Sequence, residues 1–184
     1  MQPARNVKFL FLVGWIFVTG NALANPILWP VDDITRVLPT DSPPPPSALN
    51  LSIFLSGGRT EYVSFGLALW NDSPITALQT RISRLACAEQ ESTITVPATF
   101  RFAQTVPVQA NTRNTPQEEL AFIAPARVPD PLLPDTPLPL EADQVAFFWV
   151  TVEIPQDALP GHYTGTVTMT VNGRPVSVEV EADE

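Results

Sequence analysis

Two side chains that can act as nucleophile or base occur only once each in the 184 residues, His162 and Cys87. A Ser-His-Asp triad needs a histidine to accept the proton of the serine, and no G-x-S-x-G segment is present. The segment Pro160-Gly161-His162-Tyr163 predicts a solvent-facing turn histidine before a strand. Zinc sites need several His or Cys ligands, and Cys87 after Leu85 and Ala86 predicts a small buried side chain. The sequence therefore predicts neither a nucleophilic active site nor a zinc centre.

Carboxylates are the other candidates for chemistry, since the chain carries 19 Asp and Glu residues. Calcium needs clustered oxygens, but Asp32-Asp33 with Asp41, and Asp130 with Asp135, lack the alternating Asp pattern around a central Gly. Glycoside hydrolysis needs two carboxylates that flank one bond, whereas adjacent pairs such as Glu118-Glu119 are typical of solvated loop charge. No glycine-rich phosphate loop is present. We therefore predict no catalytic residue, no metal and no cofactor.

Tryptophan and tyrosine are candidates for sugar binding, because they combine a flat apolar body with a polar tip. Trp149 lies in the most apolar run after the N-terminus, which predicts a core residue whose replacement by alanine costs about 3–5 kcal/mol. Tyr62 and Tyr163 each begin a predicted strand, where a tyrosine packs and bonds its hydroxyl to backbone. Trp29 and Trp70 are expected to be the most exposed. The binding candidates are therefore Trp29, Trp70 and Tyr62, with packing as the competing role of each.

The N-terminal 24 residues have the features of a secretory signal peptide. Arg5 and Lys8 precede an apolar run over residues 9–18, and Ala22-Leu23-Ala24 is a small-x-small cleavage site. The run is shorter than the roughly 20 residues of a membrane span. Removal of this segment takes the formal charge from −9 to −11, because it carries two cations and no acid. We expect a secreted or periplasmic protein that starts at Asn25, does not insert into membranes and does not bind nucleic acid.

Short β-prone runs separated by Gly, Pro and Asn recur along the chain. Eight or nine strands are predicted, at residues 49–55, 62–70, 78–84, 93–96, 99–108, 120–123, 145–154, 164–171 and 175–180. Asn172-Gly173 is the strongest hairpin signal, because both residues accept the positive φ of a type I′ turn. The one helical candidate is a single turn at 116–120 with Thr115 as its N-cap. The pattern predicts an all-β protein, a two-sheet Ig-like or jelly-roll-like sandwich with Pro-rich loops.

Two Pro-rich stretches divide the chain, residues 39–47 and residues 125–139. The four consecutive prolines at 43–46 predict a stiff polyproline II spacer, with a ligand for a proline-binding groove as the alternative. The predicted organisation is a signal peptide at 1–24, a lead-in and Pro-rich spacer at 25–47, and the β-sandwich domain at 48–184.

Three segments carry a resemblance to a known family. They are Gly58-Arg59-Thr60-Glu61-Tyr62-Val63-Ser64-Phe65, the loop Pro129-Asp130-Pro131-Leu132-Leu133-Pro134, and residues 148–167 with Phe148-Trp149-Val150 and Pro160-Gly161-His162-Tyr163-Thr164-Gly165. In this order they resemble the N-terminal β-sandwich domain of secreted bacterial proteins related to glycoside hydrolase family 123 and to the family called domain of unknown function 4091. The residues that match its motifs, all with structural roles, are Arg59, Glu61, Asp130, Trp149, Pro160, Gly161, Tyr163 and Gly165.

Within these motifs we expect Pro160-Gly161 to form a turn, Gly165 to let a neighbouring chain approach, and Asp130 to cap a turn. In proteins of the resembled family the sandwich precedes a (β/α)₈-type catalytic domain that carries the acid pair, which the given sequence does not contain. The resemblance implies a secreted, non-catalytic sandwich associated with carbohydrate processing, whose partner is a glycan or another secreted or cell-envelope protein. The alternatives are a structural extracellular Ig-like assembly domain that uses its sheet edge and, last, a minimal glycoside hydrolase.

Overall fold

The computed structural model describes residues 26–32, 35–49 and 51–183. The predicted signal peptide, residues 1–24, lies outside this part of the chain. Among the described residues, no helix has the length and apolar character needed to cross a bilayer.

Eleven strands form two sheets, which confirms the predicted all-β sandwich with two or three strands more than expected. The strands are β1 (Ile27–Val31), β2 (Ser52–Ser56), β3 (Tyr62–Asn71), β4 (Leu78–Ile82), β5 (Leu85–Cys87), β6 (Ser92–Ile94), β7 (Ala98–Val108), β8 (Ala126–Leu133), β9 (Gln144–Glu153), β10 (His162–Val171) and β11 (Arg174–Asp183). The only helical segments in the described ranges are two 3₁₀ turns, Pro46–Ala48 and Gln117–Glu119.

The first sheet has five strands in the order β1-β3-β9-β7-β8, all antiparallel. The second has six strands in the order β2-β11-β10-β5-β6, and β4 also pairs with β10. Its pairs are antiparallel except β2 with β11, which run parallel. The edge strands are therefore β1 and β8 in the first sheet and β2 and β6 in the second, where β4 also has an open edge because it pairs only with β10.

The core is formed by alternate residues of the long central strands. Leu67 of β3 and Phe148 of β9 lie side by side on the inner face of the five-stranded sheet. They belong to the same buried cluster as Val167 and Met169 of β10 in the other sheet. Phe102 of β7 meets Phe148 edge-on, with ring centroids 5.7 Å apart. Because side chains alternate with a period of two, one face of each central strand is buried in the core. The alternate side chains of the five-stranded sheet point away from the core, on its outer face.

Part of the predicted lead-in is a strand of the sandwich, so the boundary expected at residue 48 is wrong. Strand β1 pairs with β3 from Ile27↔Trp70 to Val31↔Gly66, and Leu28 is part of the core. Val37, further along the lead-in, is also buried. Strand propensities did not predict β1 because it contains Pro30. A proline is tolerated here because β1 is an edge strand.

The second Pro-rich stretch is also a strand over most of its length. β8 contains Pro129 and Pro131, lies at the edge of the sheet, and pairs with β7 across an irregularity between Ala103 and Thr105. Asp130 is therefore exposed within an edge strand and does not occupy the turn that we predicted for it. The predicted strand at 120–123 is absent, and the predicted helical turn is the 3₁₀ turn Gln117–Glu119, without a side-chain cap.

The predicted hairpin at Asn172-Gly173 is confirmed, with φ of 48° and 83° at the two residues. The Asn172 side chain also holds the segment that enters β4. Its Oδ1 accepts hydrogen bonds from Thr76 N at 2.9 Å and Ala77 N at 3.1 Å, and its Nδ2 donates to Pro74 O at 2.9 Å. One turn therefore joins β10 to β11 and also fixes the start of a neighbouring strand.

The matched family motifs form local ties at one end of the sandwich. The Glu61 carboxylate accepts a hydrogen bond from Gly58 N at 2.8 Å and closes the turn that contains Arg59. Tyr163, which is 2% exposed, donates its hydroxyl proton to Leu159 O at 2.7 Å and accepts from Leu159 N at 3.1 Å. Both contacts join a turn to the strand that follows it.

Gly165 gives a direct test of the close approach between β10 and the chain before β5. A Cβ atom there would lie 2.8 Å from Ser83 Oγ and 3.3 Å from the backbone oxygen of Arg84, and it would overlap Leu85. Gly165→Ala should therefore lower the free energy of unfolding by about 1–3 kcal/mol, the usual cost of overpacking. Urea denaturation measures it.

Gly58→Ala is the matched control, because the nearest atom to its Cβ is 3.7 Å away, at Glu61. We expect its free energy of unfolding to stay within about 0.5 kcal/mol of the parent. Equal losses in the two variants would contradict the packing described for Gly165.

Candidate functional site

The outer face of the five-stranded sheet carries five aromatic side chains. Since the neighbouring residues Leu28, Phe65, Leu69, Phe148 and Val150 point into the core, the alternate residues of the same strands point outward. The outward aromatic residues are Trp29 on β1, Tyr62 and Trp70 on β3, and Phe147 and Trp149 on β9, and we call this surface the aromatic face.

One half of the aromatic face is packed. Trp29 lies opposite Ala68, which lies opposite Phe147, and Trp70 lies two residues further along β3. These three aromatic rings pack around buried Ala68, together with Val37 from the segment after β1. Trp29 and Trp70 are consequently half-buried, which fits the packing role that competed with binding. The expectation that these two are the most exposed aromatic candidates is wrong, since Tyr62 is far more exposed.

The other half of the aromatic face runs from Trp149 to the exposed Tyr62, and we call it the open half. Trp149, half-buried like Trp29 and Trp70, lies opposite Gly66 of β3 and Arg101 of β7, and its ring is tilted against Phe147 with centroids 6.5 Å apart. A Cβ atom on Gly66 would lie 2.8 Å from the Phe147 ring, so this glycine makes room for Phe147. The open half therefore begins at the rings of Phe147 and Trp149.

Polar groups continue the open half beyond Trp149. The hydroxyls of Ser64 and Thr151 are hydrogen-bonded across β3 and β9 at 2.8 Å. Tyr62, 69% exposed, lies opposite Glu153 at the end of the same strands. Tyr62 is four residues from the level of Trp149, or about 13 Å along the strand. The open half thus offers two accessible aromatic side chains with hydroxyls, a carboxylate and an exposed guanidinium beside them.

The prediction that Trp149 is a core residue is wrong. Along β9 the residues that enter the core are Phe148, Val150 and Val152, whereas Trp149 is half-buried on the opposite side of the sheet, the side on which Val145 packs with Phe147. The expectation that Tyr62 packs is also wrong, since its side chain is exposed. The alternation of buried and outward side chains in β9 is not visible in the sequence at 147–149, because all three residues are aromatic. The valines at 150 and 152, both on the buried side, could have identified the two faces.

All three predicted binding candidates, Trp29, Trp70 and Tyr62, lie on the aromatic face. The structure adds Phe147 and Arg101, which the sequence analysis did not single out, and Trp149, which it assigned to the core. Pairing between strands brings them together, and this could not be deduced without knowing that β1, β3, β9 and β7 are neighbours.

The remaining candidates for chemistry lie on the other sheet. His162 Nδ1 is 2.7 Å from Asp183 Oδ1, and His162 Nε2 is 3.8 Å from Glu181. The hydrogen bond to Asp183 raises the pKa of His162 above 6.5, and the nearby charges of Asp183, Glu181 and Glu89 act in the same direction. The imidazole is thus an exposed partner of acids, with no hydroxyl or thiol nucleophile hydrogen-bonded to it in the described chain.

Cys87 is 1% exposed, as predicted. Its thiol donates a hydrogen bond to Glu89 Oε2 at 3.1 Å, and this bond together with burial raises the pKa of Cys87. The same bond lowers the pKa of Glu89. A buried thiol held in its protonated form is a poor nucleophile.

A metal site is not formed in the described ranges. They contain no group of three or more His, Cys, Asp or Glu side chains placed to hold a metal ion. Two of the carboxylates that we considered for calcium close turns instead: Asp32 accepts from Thr35 N at 2.6 Å and Asp41 from Leu38 N at 2.7 Å. An apolar cavity between the sheets, beside Val152 and Tyr163, has a volume of about 30 Å³, which is too small for a sugar ring.

These features define the class of protein as a β-sandwich with an aromatic sheet face and without an assembled catalytic group in its described residues. Residues 40–171 match the glycoside hydrolase 123 N-terminal domain. The match covers more than half of the chain, so the protein belongs to this family. No curated protein matches the chain.

Among solved structures, the chain is similar to a family 123 glycoside hydrolase from Clostridium perfringens, which was analysed for glycolipid glycan hydrolysis. The identity is 15% and the TM-score 0.64, over 86% of this chain and 27% of that enzyme. The chain thus spans about a quarter of the enzyme's length. A weaker likeness is to a PapD-like domain of human CEP192, with 13% identity and a TM-score of 0.40 over 99% of this chain and 97% of that domain. Another is to the CooA pilin subunit of enterotoxigenic Escherichia coli, with 10% identity and a TM-score of 0.37 over 84% of this chain and 95% of the pilin.

The two faces of β9 can be separated by a pair of substitutions. Phe148→Ala should lower the free energy of unfolding by about 3–5 kcal/mol, because the ring is fully buried. Trp149→Ala should cost clearly less, about 1–2 kcal/mol, because its ring already contacts solvent. Guanidinium denaturation of both variants measures the difference, and a larger loss for Trp149→Ala would contradict the strand orientation.

His162 should make folding stability depend on pH. Its pKa is higher in the folded chain than the value near 6.5 of an unfolded histidine, so its contribution is complete below about pH 6.5 and disappears as the pH rises through the folded pKa. His162→Gln should therefore be destabilising near pH 5.5 and nearly neutral near pH 8.5 in thermal melts. Asp183→Asn should remove the same pH dependence; a His162→Gln effect of equal size at both pH values would disprove this role.

Proposed function

We propose that the protein is a secreted or periplasmic, non-catalytic accessory domain that binds a glycan on its aromatic face. The observation that carries the proposal is the placement of Tyr62 and Trp149 as accessible aromatic side chains on one sheet face. Membership of the glycoside hydrolase 123 N-terminal domain family makes the chain an accessory type of domain in a carbohydrate-active family. A glycan is the ligand class that fits both facts.

The contacts within the aromatic face support this role. A sugar ring has apolar C–H faces and a rim of hydroxyls, so it is bound by aromatic rings with hydrogen-bonding groups beside them. Trp149 and Tyr62 supply the rings, about 13 Å apart along the sheet. Arg101 and Glu153 supply a donor and an acceptor at the same two levels of the sheet. Trp29 and Trp70 support the site from beside it on the same face, because they pack with Phe147, whose ring contacts Trp149.

The non-catalytic part of the proposal is supported by the chemistry of the titratable groups. The lone histidine is paired with Asp183, and the lone thiol is buried and bonded to Glu89. A general acid for glycoside hydrolysis requires a carboxyl group whose pKa is raised by its surroundings. Glu89, whose pKa is lowered, has the opposite property.

Export is the part of the proposal that depends on residues 1–24. Their charged start, short apolar run and Ala22-Leu23-Ala24 site support secretion or periplasmic delivery. The absence of a second cysteine is compatible with such a location, because the core of two packed sheets does not need a disulfide for its stability.

A glycan-array screen of the purified chain tests binding, followed by titration of the best glycan using tryptophan fluorescence. Trp149→Ala should weaken binding by about tenfold or more, since loss of one buried aromatic contact corresponds to roughly 1.5–3 kcal/mol. Tyr62→Ala should weaken it to a smaller extent, because the ring stands at the end of the face.

Leu159→Ala is the matched control, since Leu159 is an exposed apolar side chain in the turn before β10 on the other sheet. It should bind like the parent chain. No array signal, or equal losses in Leu159→Ala and Trp149→Ala, would contradict the assignment of the aromatic face. Incubation with chromogenic N-acetylhexosaminides reports on catalysis, and turnover that is lost on replacing a single Asp or Glu would make the protein a hydrolase.

A further inference from the structure

Strand β2 is an edge strand of the six-stranded sheet, the sheet that does not carry the aromatic face. It pairs with β11 on one side, and no described strand pairs with it on the other. Its central residue, Phe54, is 70% exposed, whereas Ile53 before it is 5% exposed and belongs to the core. An edge strand with a large exposed apolar side chain can form backbone hydrogen bonds with a strand of another chain.

The hydrogen bonds to β11 determine which backbone groups face the open edge. Leu51 O accepts from Glu179 N at 2.6 Å, and Gly57 N donates to Asp183 O at 3.2 Å. In a strand, every second residue directs its N–H and C=O to the same neighbour. The backbone groups that face β11 are therefore those of alternate residues, Leu51, Ile53, Leu55 and Gly57. The N–H and C=O of Phe54 point toward the open edge.

The sequence of β2 is self-complementary about Phe54. It consists of Ser52, Ile53, Phe54, Leu55 and Ser56, so the strand has nearly the same residues when it is followed in either direction. We propose that two copies of this chain associate by antiparallel pairing of their β2 strands across a two-fold axis at Phe54. Serine then lies opposite serine, Ile53 opposite Leu55, and Phe54 opposite Phe54. The two backbones exchange N–H···O=C bonds at the axis, and the six-stranded sheets of both copies become continuous.

The other edges of the sandwich do not offer this surface. Strand β1 contains Pro30, β8 contains Pro129 and Pro131, and β6 has three residues. Strand β4, which pairs only with β10, carries the charged residue Arg81. Prolines and short strands are the features by which β proteins prevent pairing at their edges. β2 has neither a proline nor a charged residue, so it is the described outermost strand that lacks protection.

Electrostatics do not oppose the pairing, although the chain has a formal charge of −9. On β11 the acids beside this edge are Glu181, opposite Phe54, with Glu179 and Asp183 two residues to either side of it, and Asp32 lines the groove next to Phe54. Two Glu181 residues of a dimer are separated by three strand spacings, about 14 Å, which exceeds the screening length of about 8 Å at physiological salt. The partner that fits this strand, which is self-complementary and has no charged residue of its own, is therefore the same strand of a second copy.

The register can be tested by crosslinking. Residues paired directly at such an axis have Cα atoms about 5.5 Å apart, within the range that a disulfide spans. Phe54→Cys should give a disulfide-linked dimer on oxidation of the dilute full chain, seen on a non-reducing gel. Ser56→Cys is the matched control, because the two positions 56 lie about 13 Å apart along the seam and cannot be bridged. The parent chain, whose only cysteine is buried Cys87, should stay monomeric on the same gel.

The association itself can be measured by sedimentation equilibrium. The parent chain should show a monomer–dimer equilibrium, and Phe54→Pro should raise its dissociation constant by about tenfold or more. This proline removes the N–H that faces the edge without removing a hydrogen bond to β11. Circular dichroism verifies that the variant is folded, and if it is not, the cysteine pair decides alone. A monomeric parent chain, or equal crosslinking through positions 54 and 56, would overturn the proposal.

Discussion

The register between β3 and β9 is the constraint on which both faces of the five-stranded sheet depend. The strands pair over ten residues, from Tyr62↔Glu153 to Asn71↔Gln144. Because side chains alternate with a period of two, this single register places Leu67 and Phe148 in the core and Tyr62 and Trp149 on the opposite surface. A shift by one residue would direct the tryptophan into the core and expose the phenylalanine. The core and the aromatic face are therefore two results of one pairing.

Several local interactions favour this register over its neighbours. The Ser64–Thr151 hydroxyl bond exists only when these two residues are opposite. Gly66 must lie where Phe147 covers it, since a side chain at that position would collide with the ring. At the end of the pair, Thr60 N donates to Ile154 O at 2.9 Å, and Ile154 N donates to Glu61 O at 2.9 Å. Each interaction is modest, but all of them are lost together when the strand slips.

The fold class could be predicted from the sequence because it depends on local features. A window of about ten residues is enough to recognise the β-prone runs at 62–70 and 145–154 and the Asn172-Gly173 turn. β1 and β8 could not be predicted in this way, since their prolines are acceptable only at a sheet edge, and edge position is decided by distant strands. The aromatic face was predicted in part, through Trp29, Trp70 and Tyr62. Trp149 was misassigned because two neighbouring phenylalanines made its apolar surroundings look uniform.

The parallel pairing of β2 with β11 has a consequence for the order in which the chain can fold. Strand β2 starts at Ser52, and the residue of β11 opposite Ser52 is Glu179, 127 positions further along the chain. The pairs β3–β9 and β10–β11 can form as soon as their strands have left the ribosome. The strand partner of β2 is absent until β11 has been synthesised, and closing so long a loop carries an entropic cost. An apolar strand is thus without its neighbour while most of the sandwich is being made, and a chain cut before β11 would lack the strand with which β2 pairs.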